Sequence, residues 1–202
     1  MKENASTVIH GRNLILVPYR KEHVRKYHTW MQNEELLEKT ASERLSLEQE
    51  YEMQQKWYND ADKCTFIILA KSLWKKNRDE IESMVGDVNL FLNNPDDRTE
   101  AEVEVMVAEP ASRGCGIGTE AVLAMLYYGN MSLGIKKFNA IVGNDNKESV
   151  ALFLKMGFAK IKETAIFNQS TFEIQISKES FYDKFATKLS CLCIATYPIE
   201  EN

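Results

Sequence analysis

The chain has 202 residues, 44% of them hydrophobic and 27% charged, which suits one domain with a full core. Its net charge is −5 and it has no lysine- or arginine-rich block, so nucleic-acid binding is disfavoured. No segment approaches about 20 apolar residues, and no apolar run follows the first methionine. We therefore expect a soluble cytoplasmic protein, with the nucleus as an alternative, that is neither secreted nor membrane-bound.

Cysteine and histidine positions argue against metal chemistry. The four cysteines contain no Cys-x-x-Cys pair, and the three histidines all lie near the N-terminus. Structural zinc sites usually need such pairs or a His/Cys cluster. The sequence therefore predicts no metal site and no histidine-based catalytic triad.

The first half of the chain predicts a strand followed by helices. Residues 1–12 are expected to form a flexible leader, and a proline ends the first strand, Asn13–Pro18. Apolar residues at helical spacing occupy Glu22–Asn33, and Ser46 starts a second helix as the N-cap of a capping box. The polar stretch between the helices, Glu38–Leu45, is expected to be irregular.

The second half predicts strands around two helices. The predicted strands are Cys64–Ala70, Met84–Leu92 with Gly86 as a bulge or close approach, Glu100–Ala108, Phe138–Gly143, Phe158–Phe167 and Phe172–Ser177, and the predicted helices are Thr119–Met131 and Asn146–Met156. The charged stretch Lys71–Glu82 is expected to be a surface excursion. Consecutive strands favour antiparallel pairs, while the late strand-helix-strand unit favours one parallel pair. We assign residues 13–178 to a single domain and residues 179–202 to a C-terminal tail.

The stretch Arg113–Thr119 places three glycines where a strand should pass into a helix. The first turn of a helix leaves N–H groups without partners and carries partial positive charge. Glycine allows a positive φ and close approach of a ligand, and Arg113 adds a cation suited to phosphate. The stretch favours an anion site, although a glycine-rich turn that binds nothing has the same composition.

Two common phosphate-binding patterns do not fit this stretch. The dinucleotide fingerprint needs Gly-x-Gly-x-x-Gly after an early strand, and the spacing here differs. The Walker loop needs a lysine before its serine or threonine, whereas Gly118 precedes Thr119.

Two ordered motifs carry a family resemblance. Val107–Gly118 contains the pattern Gln/Arg-x-x-Gly-x-Gly/Ala with a proline three residues before the arginine, and Asn146–Phe158 reads Asn-x-x-Ser-x-x-Leu-Phe-x-x-x-Gly-Phe. From Gly11 to about Ser177 the chain resembles the GCN5-related N-acetyltransferases (GNAT). Leu14–Trp57 is similar to the ribosomal-protein-type branch that acetylates protein N-termini, and especially to the eukaryotic N-acetyltransferase 9 group. The resemblance implies an α/β GNAT fold, a splayed, mostly antiparallel sheet of about seven strands with helices on both faces.

The resemblance also implies acetyl-CoA as cosubstrate. The residues it implies in binding are Met106, Val107, Ala108, Arg113, Gly114, Cys115, Gly116, Ile117, Gly118, Thr119, Asn146 and Ser149. The diphosphate would lie on the glycine-rich loop, and the pantetheine arm would pair with the preceding strand. Asn146 and Ser149 would line the thioester end, and Asn146 equally fits a helix N-cap.

The chemistry needs a base, because an amine must be uncharged to attack a thioester. Glu102 and Glu104 are the candidates, since they share the strand face opposite the valines and a carboxylate near an apolar cofactor has a raised pKa. The plain alternative is two solvated glutamates. Two positions depart from the family: Phe153 replaces a common tyrosine acid, and Ile141 replaces a glutamate of some N-terminal acetyltransferases.

Three functions are compatible with the sequence. The first is transfer of acetyl from acetyl-CoA to a primary amine, either a protein N-terminus or a lysine, by direct attack in a ternary complex. The second is a catalytically weak GNAT scaffold that binds another protein. The third is acetylation of an aminoglycoside or another small amine. The sequence specifies neither the acceptor nor the oligomeric state.

Overall fold

The computed structural model describes residues 2–176 and 178–199, and one open sheet runs through this part of the chain. Its strands are β1 (Thr7–His10), β2 (Leu14–Pro18), β3 (Lys63–Ala70), β4 (Met84–Phe91), β5 (Glu100–Val107), β6 (Lys137–Gly143), β7 (Ala159–Thr164), β8 (Gln169–Gln175) and β9 (Cys193–Thr196). These nine strands lie in the order β7-β8-β6-β5-β4-β3-β2-β1-β9, and only β5 and β6 pair parallel. The expected mixed, mostly antiparallel sheet is confirmed, with nine strands instead of about seven.

Helices cover both faces of this sheet. They are α1 (Val24–Trp30), α2 (Glu34–Lys39), α3 (Leu47–Asn59), α4 (Lys71–Asn77), α5 (Glu80–Ser83), α6 (Ile117–Leu133), α7 (Lys147–Met156) and α8 (Lys178–Leu189). The capping box at the start of α3 is confirmed, since Ser46 and Gln49 each bond the other's backbone. Among the described helices, none is both long and apolar enough to cross a lipid bilayer.

Two hydrophobic cores lie on opposite faces of the sheet because successive side chains of a strand alternate in direction. On β2, Leu14 and Leu16 join the core beneath α6, whereas Ile15 and Val17 join the core beneath α1. All eight residues of β3 are buried, as expected for a strand covered on both faces. The residues of β5 follow the same alternation, and this places its glutamates on the α1 side.

The sheet opens between β5 and β6. The two strands pair only through Glu100–Glu102, opposite Lys137–Asn139, and then diverge. Beyond the opening, β6 pairs with β8 along its whole length. The divergence leaves one edge of β5 facing a gap, and the cleft described below lies there.

Both chain ends contribute to the sheet, which corrects two expectations. The leader predicted over residues 1–12 contains β1, whose Val8 and Ile9 are fully buried because β1 lies between β2 and β9. The tail predicted over residues 179–202 contains α8 and β9, and Phe181 and Phe185 of α8 are buried in the α6-side core. Met1, Ser177 and residues 200–202 lie outside the described residues.

Two further segments differ from the sequence interpretation. The charged stretch Lys71–Glu82 forms the short helix α4 and most of α5, with Trp74 and Ile81 packed against the α1-side core. The predicted helix Glu22–Asn33 ends at Trp30 and a second short helix, α2, follows, capped by the side chain of Asn33. The irregular polar segment is therefore confined to residues 40–46.

Candidate active site

The glycine-rich loop has the backbone conformation that the anion hypothesis requires. Gly114 has φ +71° and Gly116 has φ +80°, and a Cβ added at either would meet no other heavy atom within 4 Å. Gly116 is the N-cap of α6 and offers no side-chain cap, so the first N–H groups of the helix keep their capacity for a ligand. The loop therefore fits an anionic group. Gly118 does not take a positive φ, so that part of the expectation is wrong.

The other residues of the loop differ in burial and contacts. Ile117 is 6% exposed in the α6-side core, and Thr119 lies half-buried in the first turn of α6. Cys115 is exposed, its thiol 3.5 Å from the carbonyl of Arg113. The carboxylate of Glu120 accepts a bond of 3.0 Å from the side chain of Asn13, so it binds the β1–β2 turn.

Arg113 is hydrogen-bonded to the backbone at the end of β5. Its Nε donates to the carbonyl of Val107 at 2.9 Å and its Nη2 to that of Ala108 at 3.2 Å. Its Nη1 lies 3.3 Å from a carboxylate oxygen of Glu35 on α2. These contacts connect the loop to β5 and to α2. The contribution of Arg113 to phosphate binding stays a prediction.

The end of β5 is fixed on the β4 side. Met106 lies opposite Asp87 and Val107 opposite Gly86, and the N–H of Ala108 donates to Val85 at 2.8 Å. A Cβ at Gly86 would lie 1.9 Å from the carbonyl oxygen of Met106, which confirms the predicted close approach. The opposite edge of this segment faces the gap towards β6.

A cleft of about 990 Å³ opens at this gap. It brings together five of the predicted site residues: Glu102, Glu104, Met106, Asn146 and Ser149. Residues 113–119, in contrast, do not line it and lie beyond the end of β5. The candidate acid–base residues, Glu102 and Glu104, therefore lie on β5, and the candidate anion loop lies beyond the end of the same strand.

Asn146 and Ser149 begin α7 beside the cleft. The side chain of Asn146 accepts a bond of 3.1 Å from the N–H of Ser149, so the predicted N-cap is confirmed. Whether either residue contacts a cofactor stays a prediction.

Glu102 has the protonation behaviour of a base that works near neutral pH. Burial raises its pKa to about 7, the neighbouring charge of Glu104 adds to the rise, and a bond of 3.2 Å from Asn93 Nδ2 opposes it. A carboxylate with this pKa both accepts and releases a proton at physiological pH.

Glu104 differs from Glu102 in its neighbours. Burial raises the pKa of Glu104, and the positive charge of Lys63 opposes the rise. The side chain of Glu104 is accessible to solvent, but it lines the cleft. The protein atoms around it there exclude much of the bulk water. The two glutamates therefore share a face and a cleft but differ in their electrostatic surroundings.

The sequence interpretation did not assign four residues to the cleft, Lys63, Trp57, Asp87 and Tyr27. Lys63 is 5% exposed, and its Nζ lies 3.4 Å from the ring centroid of Trp57. Burial lowers the pKa of Lys63 to about 8 and raises that of the neighbouring Asp87 to about 6. Burial also raises the pKa of Tyr27 well above 10, so its phenol stays protonated. Polar residues within apolar strands, such as Asp87, are the signal that the sequence offered.

The two positions that depart from the family lie on the cleft. Phe153 is 3% exposed and packs edge-on against Phe158, with ring centroids 5.0 Å apart. Ile141 is 47% exposed on β6. Neither side chain exchanges a proton, so Glu102 and Glu104 remain the candidates. Over residues 2–176 and 178–199, no cluster of three or more His, Cys, Asp or Glu side chains is arranged to hold a metal ion.

Comparisons with known proteins agree with this architecture. Residues 13–159 match the family described as acetyltransferase (GNAT) domain. An N-acetyltransferase 9-like protein of Nematostella vectensis is 55% identical over 172 residues, covering 85% of this chain and 87% of its own. The alpha/beta-tubulin-N-acetyltransferase 9 of Homo sapiens is 49% identical over 181 residues, covering 88% and 87%.

Solved structures share the fold. The spermidine N-acetyltransferase of Vibrio cholerae, crystallised with CoA and spermine, superposes with a TM-score of 0.69 at 19% identity, over 84% of this chain and 98% of its own. The splayed sheet and the family match define the class: the chain is an acetyltransferase and belongs to the GNAT family. Within that family it belongs with the N-acetyltransferase 9-like proteins.

Proposed function

We propose that the protein transfers the acetyl group of acetyl-CoA to a primary amine of another protein, by direct attack in a ternary complex. The observation that carries the proposal is the position of Glu102 in the cleft together with its raised pKa. Its carboxyl group, with a pKa of about 7, lies in an open cleft on the same strand that leads to the glycine-rich loop.

Groups of this chain are placed to contact the diphosphate, the pantetheine arm and the reactive end of acetyl-CoA. When bound, acetyl-CoA would supply the reactive thioester. The N–H groups of Gly114–Thr119 suit the diphosphate, because two of the glycines are left-handed with open space above them. The pantetheine arm would run along the edge of Met106–Ala108 that faces the gap, beside the carbonyls of Val107 and Ala108 that accept from Arg113. Asn146 and Ser149 line the cleft where the reactive end would lie.

The base step follows from the charge of the cleft. A protein α-amine has a pKa near 8, so at neutral pH much of it is an ammonium ion. Glu102 takes a proton from that ammonium, and its own pKa of about 7 makes the transfer nearly balanced. Glu104 lies in the same cleft, and in its ionised form it would attract the ammonium ion.

The acceptor we favour is a protein amine. Relatives from human, mouse and Drosophila melanogaster are named alpha/beta-tubulin-N-acetyltransferase 9, and they are 49%, 47% and 46% identical to this chain. The amino-terminal peptides of α- and β-tubulin are therefore the first acceptors to test. A cytoplasmic location would give the enzyme access to them.

The test is acetylation of matched peptides followed by mass spectrometry. One set has a free N-terminus and no lysine, a second has a blocked N-terminus and an internal lysine, and a third consists of spermidine and an aminoglycoside. We expect transfer to the first set and its loss in Glu102→Gln. Transfer only to the third set would contradict a protein acceptor. Binding of acetyl-CoA with no transfer to any set would favour the scaffold function.

A further inference from the structure

A hydrogen bond from the β4–β5 turn reaches the carboxyl group of Glu102. The Nδ2 of Asn93 donates to the Oε2 of Glu102 at 3.2 Å, which is within the usual range for such bonds. Asn93 is exposed just after the end of β4, whereas Glu102 lies on β5 and lines the cleft. The bond therefore connects a turn outside the cleft to the candidate base inside it.

Hydrogen bonds hold this turn in place. The N–H of Leu92 donates at 2.7 Å to the carbonyl of Asp62, in the connection between α3 and β3. The Oδ1 of Asp97 accepts from both the N–H and the hydroxyl of Thr99, at 2.8 and 2.7 Å. Side-chain oxygens that accept from nearby backbone N–H groups are typical of ordered turns. Asn93 therefore belongs to an ordered turn.

The bond restrains a side chain that is otherwise flexible. A glutamate side chain has several rotatable bonds, and a contact that limits them narrows the positions of its oxygens. A carboxylate accepts hydrogen bonds at both of its oxygens, and an N–H donor favours the charged form over the protonated one. With Oε2 held by Asn93, the Oε1 of Glu102 is the oxygen left to take a proton.

Other charged and titratable groups surround Glu102. On the sheet these are Lys63, Asp87, Glu100, Glu104 and Lys137. From the helices and connections, the lining of the cleft adds Tyr27, Glu38, Lys39, Lys56, Asp60 and Asp145. Glu100 is paired with Lys137 at 2.7 Å. Burial and the charge of Glu104 raise the pKa of Glu102, and the bond from Asn93 opposes the rise.

We propose that Asn93 is a positioning residue that orients the carboxyl group of Glu102 in the cleft and favours its ionised form, the form that accepts a proton from the acceptor amine. Asn93 is not among the residues expected to contact acetyl-CoA, so its effect on transfer passes through Glu102. The inference deepens the proposed function and rests on it for its catalytic meaning. The contact itself can be measured without substrate.

The contact is tested in the free protein by carbon-13 NMR, which follows glutamate carboxyl groups with pH, and the Glu102→Gln variant assigns the signal of Glu102. In Asn93→Ala we expect the Glu102 midpoint to rise by about half a pH unit, because the donor that favours the charged form is gone. Asn93→Asp replaces the donor with a second carboxylate and should raise the midpoint further.

Asn94→Ala is the matched control. It removes the neighbouring side chain of the same turn, which accepts from the N–H of Asp96 at 3.1 Å, and it should leave the Glu102 midpoint in place. An unchanged midpoint in both Asn93 variants, or equal shifts in Asn93→Ala and Asn94→Ala, would overturn the inference.

The pH dependence of activity separates this inference from the proposed function. In Asn93→Ala the acid limb of the kcat/KM profile should move to higher pH by about half a unit, while the KM for acetyl-CoA stays close to that of wild type. A decrease of kcat/KM by one factor at every pH, with the acid limb and the NMR midpoint both unmoved, would mean a merely structural contribution and overturn the inference. Movement of the NMR midpoint with an unmoved acid limb would instead refute Glu102 as the base, and with it that step of the proposed function, while the contact between Asn93 and Glu102 stands.

Discussion

Replacing Glu102 with glutamine should slow acetyl transfer and stabilise the fold at the same time. The pKa of Glu102 is raised from its usual 4.5 to about 7, so ionising this group works against folding. The cost is absent below about pH 4.5, grows as the pH rises, and is complete above about pH 7. The full shift corresponds to about 3 kcal/mol, and we expect about 1 to 2 kcal/mol because the side chain is partly exposed to water.

The assay is urea unfolding of wild type and Glu102→Gln at about pH 5 and about pH 8. The variant should be the more stable protein at the higher pH and nearly equal at the lower, while its transfer rate falls by about 10² to 10⁴. Glu100→Gln is the matched control on the same strand. A bond with Lys137 is the main cause that lowers the pKa of Glu100, so its loss should destabilise the fold above about pH 5. An equal stability change in Glu102→Gln at both pH values would refute the account of its burial.

Gly116→Ala forces a side chain into a left-handed position and should cost about 1 kcal/mol in urea unfolding, whereas Gly118→Ala, at an ordinary φ, should cost less; equal costs would contradict this. Ser46→Ala removes half of a capping box and should lower the free energy of unfolding by about 1 kcal/mol in the same assay. A loss no larger than that for replacing a surface serine that caps no helix would contradict the capping function. Arg113→Met removes two bonds to backbone carbonyls and should lower the melting temperature clearly more than Glu35→Gln, which breaks only the exposed ion pairs with Lys39 and Arg113.

Much of the fold was predictable because its signals are local. The alternation of Glu102 and Glu104 with the intervening valines gives the two faces of β5, and the helix that starts at Ser46 is specified by its own capping residues. Glycines at 114 and 116 specify the turn in the same local way. These elements needed no knowledge of distant partners.

The missed elements depend on distant partners. β1 has only four residues, and it is stabilised by pairing with β2 and with β9 nearly 190 residues away in the chain. The cleft residues Lys63, Asp87 and Glu104 come together only when β3, β4 and β5 pair in one register, and no local pattern gives that register. Arg113 also donates to carbonyls at the end of β5, a contact that the local motif does not reveal. Its partners are set by how the chain turns back on itself.

The account depends most on the N–H groups at the start of α6 acting as a cradle for a diphosphate. Calorimetric titration of acetyl-CoA into wild type and Gly116→Asp tests this directly. We expect saturable binding at one site per chain in wild type, weakened about tenfold or more when a carboxylate is placed over the same N–H groups. No saturable binding in wild type, or equal affinity in both proteins, would contradict the cradle and the transferase mechanism derived from it.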